Sequence, residues 1–188
     1  MSKKLSTALL VLAGALWGCL SIFVSALSDY GFDSKEIGFI RISLCTLMLL
    51  VIILIRDRSL LRVQLRDMWM FVGTGIISVT LFSYCYFTTV INVEAGIAAS
   101  LLYTSPVFVM LFSAVLFRER ITAQKIAAIV LTVSGVALVS GMLGSSALGA
   151  LDLIIGIGAG LFYSLYSIFG VYALRKYSSL TVTFYTFL

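Results

Sequence analysis

Six stretches of this 188-residue chain run the length of a bilayer with almost no charge inside them: Ser6–Leu27, Lys35–Ile55, Asp67–Val90, Glu94–Phe117, Gln124–Leu143 and Asp152–Leu174. A spanning helix needs roughly 20 apolar residues to match a hydrocarbon core of about 30 Å. Lipid offers the backbone no hydrogen-bond partner, so a spanning segment is either a helix or a strand of a closed barrel. None of the six alternates apolar and polar residues as a barrel strand does. The chain is 61% hydrophobic and 11% charged, against about 25% charged in an ordinary soluble domain. No water-soluble core of this size would hide so many apolar side chains. The sequence predicts an all-α integral membrane protein of about six transmembrane helices, with a partial seventh after them.

The basic residues orient these helices. Lys3–Lys4, Arg56–Arg66, Arg118–Lys125 and Arg175–Lys176 contain all of the thirteen Lys and Arg except Lys35 and Arg41. The intervening gaps, around Asp29–Glu36, Asn92–Glu94 and Ser145–Asp152, hold only Lys35. Cytoplasmic loops retain Lys and Arg. The alternation therefore predicts a multi-pass protein of the cell inner (plasma) membrane with its N-terminus in the cytoplasm. The same placement accounts for the net charge of +5 and leaves no dense cationic stripe for nucleic acid. Lys3–Lys4 before an apolar run imitates a secretory signal, but the run exceeds an h-region of about 7–15 residues. It reads as an uncleaved first span. Cys19, Cys45 and Cys85 lie within spans and read as small core residues rather than a disulfide framework.

After Arg175–Lys176 an apolar run resumes at Ser178 and stops at Leu188. At 1.5 Å per helical residue it reaches about half of the hydrocarbon core, so the expectation is a piece of a longer protein. A short interfacial or re-entrant tail is the other reading. An internal echo supports the first. Ala13-Gly14 and Ser21-Ile22-Phe23 of the first span match Ala159-Gly160 and Ser167-Ile168-Phe169 of the sixth, with Trp17 facing Tyr163 and Gly18 facing Ser164. The first span starts inside and the sixth outside, so the copies are inverted, as the repeats of secondary transporters are.

Arg41 lies about two turns inside the second span. A guanidinium in lipid is costly and faces the bundle interior, a wet cavity, or water by snorkelling. Two readings stand: a positive point at a vestibule for a carboxylate or phosphate, or a snorkelling or helix-bridging residue. Trp17 sits near mid-bilayer, away from the interfacial belt that tryptophan prefers. It and Tyr163 either line one central chamber or are plain core aromatics. Tyr103-Thr104-Ser105-Pro106 falls at mid-membrane, where Pro106 predicts a kink. The freed carbonyls and hydroxyls suit a binding site, or the kink is only structural. Tyr84 and Tyr86 are candidate vestibule or gate aromatics. Gly14-x-x-x-Gly18 and Gly156-x-x-x-Gly160 predict close helix approach. None of the eight acidic residues lies deep in a span and there is no His, so neither a His-dependent triad nor an obvious proton relay is present.

Several patterns in order resemble the EamA-type family of the drug/metabolite transporter superfamily. They are Trp17-Gly18, Phe39-Ile40-Arg41, Tyr84 through Thr89, Glu94 through Ser100 leading to Pro106-Val107-Phe108, Phe117-Arg118-Glu119-Arg120, and Gln124 through Gly135-Val136. Ala127 departs from the glycine usual there. The resemblance implies ten helices in two inverted five-helix repeats around a central cavity, and export or exchange of small metabolites, amino acids or drug-like compounds. Residues 1–143 are then a first five-helix repeat and residues 144–188 the start of a second. Glu119 matches the family's inner-end glutamate; between Arg118 and Arg120 it reads as part of a surface ion pair. Related four-helix exporters use a buried glutamate in their first helix, which this chain lacks.

The expected function is a secondary transporter, exporter or exchanger, for small organic solutes by alternating access. Trp17, Arg41, Tyr84, Tyr103, Pro106 and Tyr163 are the candidate substrate-binding residues. Its partners are the solute and the lipid bilayer, with no nucleic acid, and the reading admits a homodimer. No cofactor or metal is expected. No nucleophile–base constellation points to an enzyme. The rival reading is a non-transporting membrane assembly partner or an inactive truncated product.

Overall fold

The structure, a computed structural model, describes residues 3–119, 122–139 and 148–188. Every regular element among them is helical. Five helices are long and apolar enough to cross a membrane: α1 (Leu5–Asp29), α2 (Ser34–Arg56), α3 (Leu65–Asn92), α4 (Ala95–Leu116) and, after α5, α6 (Ala150–Leu174). α5 (Ala123–Val139) is shorter and apolar; its expected end at Leu143 lies outside the described residues. α7 covers Ser179–Phe187. The chain is a multi-pass membrane protein.

Local chemistry explains the boundaries. Beyond the end of α1 at Asp29 the chain turns at Gly31, whose φ of 91° is a left-handed conformation that glycine adopts without strain. Asp33 then caps α2. Its carboxylate accepts from the backbone N–H of Lys35 and Glu36, while Glu36 Oε2 accepts from the N–H of Asp33 at 2.9 Å. This capping box satisfies donors that lipid could not.

α4 is interrupted. It runs Ala95–Leu102, turns at Tyr103–Thr104, and resumes as Ser105–Leu116. The expected kink at Pro106 therefore falls just before the proline. Pro106 sits in the first turn of the second segment, where its missing N–H costs nothing. Within α3, Gly73–Thr80 widens into a π-helical stretch. Ser78 and Thr80 donate their hydroxyls to the carbonyls of Gly73 and Gly75, five residues back, so side chains cover backbone acceptors that the wider turn leaves accessible.

α6 is the hub, packing against α3 and both parts of α4. One buried cluster joins Val24, Ile37, Phe82, Tyr86, Phe87, Val90, Ala98, Leu102 and Ala159. A second, nearer the loop after α2, joins Met70, Phe71, Ala173 and Val182. α1 is peripheral: only 6% of its most apolar window is buried, and Leu10, Val11, Leu16 and Ile22 face outwards, as lipid-facing residues do. Cys19 is exposed rather than part of the core, and all three cysteines are free.

Gaps of like charge character meet. Asn92 donates to Asp152 at 3.3 Å and Thr88 to Ser34 at 3.0 Å, all at ends read as outer. At the other end, Asp67 is only 3% exposed. Its carboxylate accepts from Lys176 Nζ and from the Tyr177 hydroxyl, both at 2.7 Å. Thr181 and Tyr185 donate to the carbonyls of Leu60 and Leu61. The basic 58–66 loop is thus clamped to the α6–α7 turn. Lys176→Ala leaves the Asp67 carboxylate buried without its cation, and local opening becomes easier. Tryptic cleavage at Arg58, Arg62 and Arg66 is expected to accelerate several-fold, as a digestion time course would show.

Candidate functional site

The sequence-predicted residues fall into three places. Trp17, Arg41 and Tyr163 come together around a cavity of about 110 Å³, with Ser78, Val79, Phe82, Tyr166 and Phe187 completing its wall. Pro106 lines a different cavity of about 620 Å³ between the second part of α4, α5 and α6, and Tyr163 borders that one too. Tyr84 lines a third, of about 570 Å³, with Lys35 Nζ 6.0 Å above its ring. Tyr103, at the break in α4, is 67% exposed and lines none of these three.

The first cavity has an aromatic and a cationic side. Trp17 stacks on Phe82, ring centroids 6.3 Å apart at 12°, and lies tilted against Tyr163 at 6.1 Å. Phe82 in turn meets Tyr163 at 5.3 Å. The echo positions of the first and sixth spans are therefore in ring contact. Trp17 both packs against protein and borders the cavity, and the residue stays 47% exposed.

Arg41 is held rather than free. Its Nη2 donates to Ser83 Oγ at 2.8 Å. Ser83, itself buried, passes its own proton to the carbonyl of Val79 at 2.6 Å, which leaves its lone pairs for the guanidinium. The rings of Phe87 and Phe187 lie 5.4 and 6.0 Å from the guanidinium carbon, within the range of cation–π attraction. Arg41 Nε is buried with no hydrogen-bond partner. The ion pairs among the described residues join Lys125 to Glu119 and Lys176 to Asp67, so no carboxylate of those residues neutralises Arg41.

Glu119 lines the large cavity beside Lys125, at 2.8 Å. Its ion-pair partner is this lysine on the next helix rather than the flanking Arg118; Arg120 lies outside the described residues.

Sequence reasoning missed Ser78, Phe82, Ser83, Tyr166 and Phe187. Tyr166 was reachable, being one turn along α6 from Tyr163. Ser78 and Ser83 belong to the run of small polar residues in the third span, a signal visible in the sequence. Phe187 was not, because only the docking of α7 brings it to Arg41: Thr46 donates to the Phe187 carbonyl at 2.6 Å and Thr186 to Thr74 at 2.8 Å.

An apolar helical bundle with lipid-facing exteriors defines the class of polytopic membrane proteins. The profile of the EamA-like transporter family matches residues 5–141. The chain belongs to that family. A protein of Archaeoglobus fulgidus described as an uncharacterized transporter is 26% identical over 148 residues, covering 78% of this chain and 51% of that protein. The chain thus spans about half the length of that relative. No solved structure matches it.

Proposed function

We propose that this chain forms part of a secondary transporter that exports or exchanges small organic solutes by alternating access, in a plasma membrane with its N-terminus cytoplasmic. The observation that carries the reading is the cavity shared by Trp17 of α1, Arg41 of α2 and Tyr163 of α6. It is built from helices distant in sequence and mixes a fixed cation with apolar faces. Sites of this composition orient a solute through a few polar groups while apolar walls bury the rest. The inverted echo that pairs Trp17 with Tyr163 supports a two-repeat design, with residues 1–143 and 144–188 on either side of its boundary. Tyr84 and Pro106 border separate spaces, where they serve better as gate or hinge elements than as direct solute contacts.

Two measurements test this. In a background free of the three native cysteines, a cysteine at position 62 is expected to react with an impermeant maleimide only from the cytoplasmic side, and one at position 94 only from outside. The reverse pattern overturns the orientation. Proteoliposomes screened with labelled organic solutes under imposed pH and sodium gradients are expected to show saturable flux. Correctly inserted protein with no flux of any solute would favour an assembly partner or an inactive product.

A further inference from the structure

We infer that the Trp17–Arg41–Tyr163 cavity is a carboxylate site, selecting a monoanionic solute with a flat or short apolar body. The inference rests on the transporter reading above and deepens it. Its first support is the state of Arg41. A cation inside a membrane is stable only when paired or solvated, yet none of the carboxylates among the described residues pairs with it. One Ser83 hydroxyl takes Nη2, and Nε is buried without an acceptor. A planar carboxylate bonds two donors of one guanidinium at once, and the Nη1–Nη2 end, where Ser83 takes only one N–H, offers them together with the negative charge that is missing. Tyr163 and Tyr166 on the same wall carry further hydroxyls for a second oxygen, whereas that of Ser78 is committed to the Gly73 carbonyl.

The second support is size and lining. At about 110 Å³ the cavity has the room of roughly three or four liquid waters. That suits a carboxylate with its first few carbons, not a phosphate-bearing cofactor. Beside it, the half-exposed Trp17 residue, backed by the buried Phe82 ring at 12° from parallel, offers a flat face on which the apolar remainder stacks. A dianion finds no second basic side chain among the lining residues, so one negative charge is selected.

The test uses the intact chain in lipid nanodiscs with Trp69→Phe. Trp69 packs on Phe169 and Tyr172 away from this cavity, and its replacement leaves Trp17 as the remaining one of the two tryptophans. Emission of Trp17 is followed during titration with benzoate, with benzamide of equal shape but no charge, and with benzylammonium. The expected result is a saturable change with benzoate that chloride does not displace. Benzamide and benzylammonium should bind at least about tenfold more weakly, the loss that follows from removing a charge-assisted hydrogen bond. Arg41→Gln should weaken benzoate by a similar factor. Equal binding of benzoate and benzamide, or displacement of benzoate by chloride, overturns the inference without needing any variant. Flux of neutral or cationic solutes without benzoate binding removes the carboxylate class but keeps the transporter reading. Benzoate binding without flux of any solute does the opposite.

Discussion

Alanine at Gly156 and Gly160 disrupts the seating of α6 on α4, whereas alanine at Gly14 and Gly18 leaves the fold intact. The two pairs have the same spacing, and Gly14 and Gly160 are echo mates, so sequence alone treats them alike. Their surroundings differ. A Cβ at Gly156 falls on the side chain of Leu101, with Cβ at 3.1 Å and Cγ at 3.2 Å. A Cβ at Gly160 falls on Thr104 Oγ1, with the Ser105 nitrogen at 3.2 Å and the Leu101 carbonyl oxygen at 3.3 Å. Little of this can move. Leu101 is fully buried, Thr104 Oγ1 is tied to the Leu101 carbonyl at 2.7 Å, and the other contacts are backbone. Overpacking costs about 1–3 kcal/mol per site, and in lipid close helix approach is itself a main source of association. At Gly14 and Gly18 nothing lies within 4 Å, and alanine gains up to about 1 kcal/mol of helix propensity over glycine. Thermal unfolding monitored by size exclusion in detergent is expected to separate the pairs: a fall in melting temperature for Gly156→Ala with Gly160→Ala, none for Gly14→Ala with Gly18→Ala. Equal losses would show that the glycine face of α1 is covered as that of α6 is.

What the sequence made legible follows from the range of the forces involved. Spans are set by composition and length, which lie along the chain, and each helix with described ends begins and stops within a few residues of the position read from apolar runs. The Asp33–Glu36 capping box at the start of α2 was not read, although its spacing is local. The breaks were less legible. Pro106 marked the right region of α4, but the turn settled on Tyr103–Thr104 because a proline is comfortable in a first helical turn. The π-helical stretch of α3 was not read at all. It lies where α6 and α7 press close, since a Cβ at Gly73 would strike the Phe169 ring and one at Gly75 the Thr186 carbonyl at 2.6 Å, and such tertiary approach has no mark along the sequence. The cavity divided the same way. Charge in lipid singled out Arg41, and depth and the echo singled out Trp17 and Tyr163. Depth alone could not separate Tyr84, which opens on another space, from Tyr86, which is buried in the core. Nor could it find Ser83, whose role exists only once Arg41 reaches it.

Arg41→Met is expected to leave the protein at least as stable while impairing any anion flux. The guanidinium is the one group in the cavity whose placement opposes folding, because burial removes water from a charge that no described carboxylate repays. Methionine keeps the length and apolar stem that pack beside Phe87 and Phe187 and deletes the charge. Ser83 is not orphaned, since it still donates to the Val79 carbonyl. Replacing buried charges by apolar residues of similar volume is neutral to stabilising by about 1–4 kcal/mol, so the melting temperature should hold or rise while any anion flux drops at least about tenfold. Stability and activity moving in opposite directions is the signature of a group retained for function. Arg41→Lys separates charge from geometry: a compact ammonium lacks the planar edge, and carboxylate binding should remain impaired despite the restored charge. Were Arg41→Met instead to lower the melting temperature sharply, the hydrogen bond to Ser83 would be a structural tie between α2 and α3, and the snorkelling or bridging reading of this arginine would stand.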